Sequence, residues 1–161
     1  HMNHTIFRLL TAILLTIFLT PANAQIFSTK DEIIEKHGTD IASSHENDTA
    51  GTSTIIYEKI IISDNGDTTA YYELFHFVAM EGKEICIHLE KILPLAHLSF
   101  TVSTLDELYP MPRFLEWIDL EDGLKHSISY IEENENYFRL SVDYLTPAEI
   151  IEYRDRLSSG D

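Results

Sequence analysis

The stretch "TAYYELFHFVAMEGKEICIHLEKI", residues 69–92, predicts the centre of the fold. Two runs rich in aromatic and β-branched residues, 69–80 and 83–92, flank the short turn signal Glu81-Gly82. Such runs around a glycine turn are typical of a β-hairpin. We therefore predict that two long antiparallel strands meet here.

The register of this hairpin decides which side chains share a face, because a slip of one residue turns every side chain over. A three-residue loop, Met80 to Gly82, would place His76 opposite Cys86 and leave an apolar face for the core. That face would hold Phe75, Phe77, Ile85, Ile87 and Leu89. A two-residue loop would instead place His76 among the isoleucines, which costs desolvation of a polar group. We favour the three-residue loop.

In that register His76, Cys86 and His88 lie on one face and form a candidate metal or thiol site. Imidazole and thiolate are ligands that zinc prefers, but a site needs a third or fourth ligand in good geometry. Glu84, Glu90 or His126 would be candidates, and the sequence does not choose among them. The competing interpretation is a semi-polar sheet face with an ordinary buried cysteine.

Strand patterns continue on both sides of the hairpin. They cover residues 54–62, 113–120, 125–132 and 137–144, and Asn65-Gly66 marks a further hairpin turn. Residues 39–53 are small and polar and predict a loop, and a helical turn is expected at 104–109.

Two helices have clear start signals. Thr29 and Glu32 form a capping box before a short helix at 30–37, and Thr146, Pro147 and Glu149 begin a helix at 147–157. The order predicts an α+β fold: a curved antiparallel meander of about six strands with both helices packed on one face.

The first 24 residues predict export. His1-Met2 is interpreted as a cloning scar, and an apolar run from Leu9 to Leu19 leads to the small-residue site Ala22-Asn23-Ala24. This is the pattern of a secretory signal peptide, and the run is too short and interrupted for a membrane anchor. Residues 25–161 would then form one periplasmic or secreted domain that is not inserted in a membrane.

The chain is strongly acidic, with a formal net charge of −16. Removal of residues 1–24 takes away one arginine and no carboxylate, so 27 carboxylates stand against 10 lysines and arginines, a charge of −17. Such a field disfavours nucleic acid and anionic membranes as partners. One cysteine, Cys86, allows no internal disulfide.

None of the sequence motifs that mark common enzyme classes is present, so no catalytic residue or cofactor is predicted. Half-exposed aromatic residues are typical of recognition surfaces. We therefore predict a non-catalytic binding protein with a protein partner, and candidate binding residues Tyr72, Glu90 and Trp117. The alternatives are the site at His76, Cys86 and His88, or a structural envelope component that self-associates.

A helix followed by a meander, "STKDEIIEKHG" and then "IIYEKIIISDNGDTTAYYELF" and "GKEICIHLEKI", resembles units in small exported bacterial proteins. The outer-membrane assembly lipoprotein BamE and the β-lactamase inhibitor proteins contain such units, and uncharacterised secreted proteins of Bacteroidetes-type bacteria look similar. The resemblance covers residues 28–92 and rests on pattern alone. It implies an exported binding or scaffolding domain and supplies no catalytic residues.

Overall fold

The computed structural model describes residues 25–62 and 66–159, so the predicted signal peptide lies outside the described residues. An antiparallel sheet of seven strands forms the centre of an α+β fold. Its strands are β1 Ser43–Asn47, β2 Thr52–Ile62, β3 Thr68–Met80, β4 Lys83–Pro94, β5 Glu116–Asp119, β6 Leu124–Tyr130 and β7 Tyr137–Tyr144. The helices are α1 Lys30–His37, α2 Leu98–Leu108, which follows a 3-10 turn at Leu95–His97, and α3 Pro147–Ser159.

The strand order, β1-β2-β3-β4-β7-β6-β5, corrects the predicted simple meander. A helix precedes each of two meanders: α1 precedes β1 to β4, and α2 precedes β5 to β7. The last strands of the two meanders, β4 and β7, pair with each other in the middle of the sheet. Residues from distant parts of the chain, such as His88 and Asp143, therefore become neighbours.

The first helix is built as predicted. The Thr29 hydroxyl accepts the Glu32 N–H at 3.3 Å, and the Thr29 N–H donates to the Glu32 carboxylate at 2.8 Å. This reciprocal pair satisfies two N–H groups that would otherwise lack partners at the helix start. Ile33, 1% exposed, points from α1 into the core.

One face of the sheet, which we call the covered face, packs against α1 and α2. Under α1 it buries Ile55, Tyr57, Phe75, Phe77, Cys86 and Leu89. Next to Leu105 of α2 it buries Tyr71, Leu93, Trp117, Ile128, Phe138 and Leu140. Burial of these apolar side chains is the main source of stability in such a fold.

The C-terminal helix packs on the other face, which corrects the prediction that both terminal helices share one face. Trp117 faces the covered side, so its neighbour Ile118 faces the opposite side. There Ile118 packs with Leu145, which lies just before α3, and with Tyr153 of α3. The Tyr153 hydroxyl donates to Glu116 at 2.6 Å, and Glu149 lies 3.6 Å from Lys125. Through these contacts α3 is anchored on β5 and β6.

The rest of that second face, on β2, β3, β4 and β7, carries half-exposed side chains and is called the open face here. Within the described residues no helix is long and apolar enough to cross a membrane.

Candidate functional site

The hairpin at the centre of the sheet has a two-residue turn, so the predicted three-residue loop is wrong. Met80 pairs with Lys83, and Glu81 and Gly82 have φ values of 51° and 77°. Positive φ at both turn residues is the conformation that matches the twist of the two strands. Near the turn, Phe77 consequently stands opposite Cys86, and both face the core.

A β-bulge then shifts the register. The pairs run from Phe77 with Cys86 directly to His76 with His88, so β4 contains one extra residue, Ile87, between them. The extra residue allows both Cys86 and Leu89, three positions apart, to face the covered side. It also turns His88 onto the open face beside His76.

The two histidines meet at Glu90. His76 Nε2 lies 2.9 Å from Glu90 Oε2, and His88 Nε2 lies 3.6 Å from Glu90 Oε1. The imidazole rings are 5.0 Å apart. One potential metal-ligand atom from each of the three residues lies within 4.8 Å of the others. We call His76, His88 and Glu90 the open cluster.

Three further side chains hold the open cluster in place. Thr54 Oγ1 lies 2.9 Å from His76 Nδ1, and Asp143 Oδ1 lies 2.6 Å from His88 Nδ1. Arg139 Nε lies 3.1 Å from Glu90 Oε1, an ion pair without a hydrogen bond. Nδ1 of each ring thus has a hydrogen-bond partner, and Nε2 of each ring faces Glu90.

Charge is concentrated in the open cluster. The hydrogen bond to Asp143, with a second contact to Glu90, raises the pKa of His88 to about 9. Hydrogen bonds from His76 and His88, helped by the charge of Arg139, hold the pKa of Glu90 well below its usual range in spite of partial burial. Glu90 is therefore a carboxylate at neutral pH.

Cys86 does not join the two histidines. It is fully buried on the covered face, and its Sγ lies 3.6 Å from the backbone carbonyl oxygen of His88. Burial raises the pKa of this thiol to about 11, so at neutral pH it is neither a thiolate nor accessible. The predicted trio is therefore divided: His76 and His88 come together, and Cys86 is part of the core.

Of the candidate additional ligands, Glu90 is the one that the fold brings to the histidines. Glu84 binds Lys30 at 3.1 Å and the Ser53 hydroxyl, near the start of α1. His126 is buried on the covered face, stacked on Tyr109 with ring centroids 5.0 Å apart, and burial lowers its pKa to about 4.

The predicted binding residues are also divided between the two faces. Tyr72 and Glu90 lie on the open face. Trp117 is fully buried on the covered face, where its indole N–H donates to Asp106 at 2.8 Å, so it is a core residue with a satisfied polar group.

Sequence reasoning did not find Thr54, Asp143 or Arg139. They come from β2 and β7, which are distant from the hairpin in sequence, and no local motif marks them. Comparison of the chain with protein-family models, with curated proteins and with solved structures gave no match.

Proposed function

We propose that this is an exported, non-catalytic binding protein that recognises a protein partner through the open face. The observation that carries the proposal is a sheet face which the described helices leave uncovered on β2, β3 and β4 although it bears many apolar side chains. Contiguous exposed apolar surface on a protein commonly marks an interaction site.

The apolar part of the open face is most exposed near the end of β2. Ile60 and Ile62 are 63% and 71% exposed. They continue into the half-exposed Ile56, Leu74 and Ile92, with Tyr72 beside them. An aromatic ring among aliphatic side chains, bordered by charged groups, is the composition of many protein interfaces.

The charge of the chain narrows the class of partner. A net charge of −16 attracts basic surfaces and repels acidic ones. We therefore propose a partner whose contact surface is apolar at its centre and basic at its rim. Export is the part of the proposal that rests on sequence alone, and the N-terminal residue of protein recovered from cells tests it: cleavage should leave Gln25 first.

Matched variants test the binding surface. The wild-type chain, Ile60→Glu/Ile62→Glu and the control Ile151→Glu would be used as bait in exported fractions of the source cells. Ile151 lies on α3 and is 61% exposed, which matches Ile60. We expect a saturable protein partner that is lost with the double variant and retained with the control. No saturable partner, or equal recovery by all three baits, would contradict the proposal.

A further inference from the structure

We propose that the open cluster, His76, His88 and Glu90, binds one divalent transition-metal ion, with Zn²⁺ as the expected occupant. Two imidazoles and one carboxylate are a ligand set that zinc uses where a coordination position remains open. Magnesium and calcium prefer all-oxygen ligands, so two histidines argue against them. This inference does not depend on the proposed partner.

The three side chains lie near the distances that tetrahedral coordination requires. Ligand atoms about 2.0–2.1 Å from zinc are about 3.3 Å apart along an edge of the tetrahedron. Glu90 Oε2 lies 2.9 Å from His76 Nε2, and Oε1 lies 3.6 Å from His88 Nε2, so His88 must move toward Oε2 for one oxygen to share an edge with both rings. The ligand atoms all lie within 4.8 Å of one another, so rotation of half-exposed side chains would complete the approach.

The residues around the cluster orient the ligands as metal sites require. Metal-binding histidines usually donate their second ring N–H to an acceptor, which fixes the tautomer and the ring position. Asp143 at 2.6 Å and Thr54 at 2.9 Å provide such acceptors at Nδ1 of His88 and His76. In the metal-bound state the proton would stay on Nδ1, and the Nε2 proton that each ring donates to Glu90 would be released so that the Nε2 lone pair can bind the metal.

The Glu90 carboxylate can bind the metal and keep its ion pair with Arg139. Oε1 of Glu90 lies beside Arg139, and Oε2 faces His76. Monodentate binding through Oε2 would preserve the ion pair with Arg139. The side chains of His76, His88 and Glu90 are 30%, 26% and 15% exposed, so water or a partner side chain can reach the remaining coordination position.

Zinc titration of the full chain without an affinity tag tests the site. His1 and His4 lie outside the described residues and would be replaced by Gln in every protein tested. Calorimetry should show one Zn²⁺ per chain. Asp143→Asn and Thr54→Val should each weaken binding by about 10–100-fold, and His76→Gln, His88→Gln and Glu90→Gln should weaken it further.

His97→Gln is the matched control, because His97 lies outside the cluster in the 3-10 turn before α2. It should bind Zn²⁺ as the parent does. Circular dichroism of each variant separates loss of the site from loss of the fold. Binding of less than one equivalent by the parent, or unchanged affinity in folded His76 and His88 variants, would overturn the inference. Such a result would leave the capture experiment above unaffected.

Discussion

Two histidine–glutamate clusters lie on opposite faces of the sheet at strands β3 and β4. The open cluster is half-exposed. The second cluster, His37, Glu73 and Lys91, lies beneath α1 and is called the buried cluster. Lys91 Nζ is 3.3 Å from Glu73 Oε1, and His37 Nδ1 is 3.4 Å from Glu73 Oε2. His37 Nε2 in turn lies 2.8 Å from the side-chain nitrogen of Gln25. In both clusters one glutamate lies between two potential cations.

The difference in exposure gives the two clusters different consequences. Burial by itself would raise the pKa of Glu73, but the close contact with His37 and the charges of Lys91 and His37 outweigh it and lower that pKa to about 2. A buried charge must keep its partners, because their loss leaves it without solvation. The half-exposed side chains of the open cluster can exchange a partner for water or for the proposed metal, whereas the buried cluster mainly affects stability.

The largest expected effect comes from breaking the buried cluster. Lys91→Met leaves the Glu73 carboxylate without its nearest cation and should lower the free energy of unfolding by about 3–5 kcal/mol. Urea denaturation measures it. Arg156→Met is the control: it breaks the exposed pair with Glu152 at 2.9 Å and should cost about 0.5 kcal/mol or less. Equal losses in the two variants would contradict the distinction between the clusters.

The buried cluster should also contribute to acid unfolding. The pKa of Glu73 falls from 4.5 to about 2 on folding, so its contribution is complete above about pH 4.5 and is lost as the pH falls toward 2. The contribution is on the order of 3 kcal/mol. Urea midpoints between pH 2 and 6 should fall more steeply for the wild type than for Glu73→Gln. If the urea midpoints of the two proteins fell in parallel with pH, Glu73 would not contribute to acid unfolding.

Cys86 tests the assignment of side chains to the two faces, because it is close to His88 in sequence but lies in the core. Cys86→Ser places a hydroxyl in the core and should cost about 1–3 kcal/mol in unfolding free energy. Zn²⁺ affinity of the folded variant should not change. Cys86→Ala, without the hydroxyl, serves as the control for polarity. A large loss of Zn²⁺ affinity in folded Cys86→Ser would place the thiol in the site.

The smallest effect is expected from the open cluster itself. His76→Gln alters a side chain that is 30% exposed and should change the unfolding free energy by less than about 1 kcal/mol. His37→Gln, at a side chain that is 11% exposed and bonded to Glu73, should cost more. Urea denaturation of the two variants at pH 7 makes the comparison. A greater loss in His76→Gln would mean that the open cluster is structural.

Much of the secondary structure was predictable because its signals are local. The capping box at Thr29 and Glu32 begins α1, and Pro147 begins α3, as predicted. The strands on either side of Asn65-Gly66 pair as a hairpin, although residues 63–65 lie outside the described part. Strand β1 was predicted as loop, because "SSHEN" is a polar edge strand without apolar alternation.

The candidate site was predictable only in part. His76, His88 and Glu90 were all named from the sequence, but Cys86 was grouped with the histidines on a register that the structure corrects. The isoleucines at 85 and 87 suggested regular alternation. The core instead takes Cys86 and Leu89, and a bulge at Ile87 absorbs the odd spacing.

Short-range forces set the capped helix starts, the alternating strands and the glycine turn, so these elements, like the strongly acidic charge, can be read from the sequence alone. Tertiary contacts set the pairing of β7 with β4, the packing of α3 on the face opposite α1, and the placement of Thr54, Asp143 and Arg139 around the two histidines. These arrangements depend on contacts between residues far apart in the chain. No local pattern encodes which face or neighbour buries the most apolar surface while keeping the charges paired.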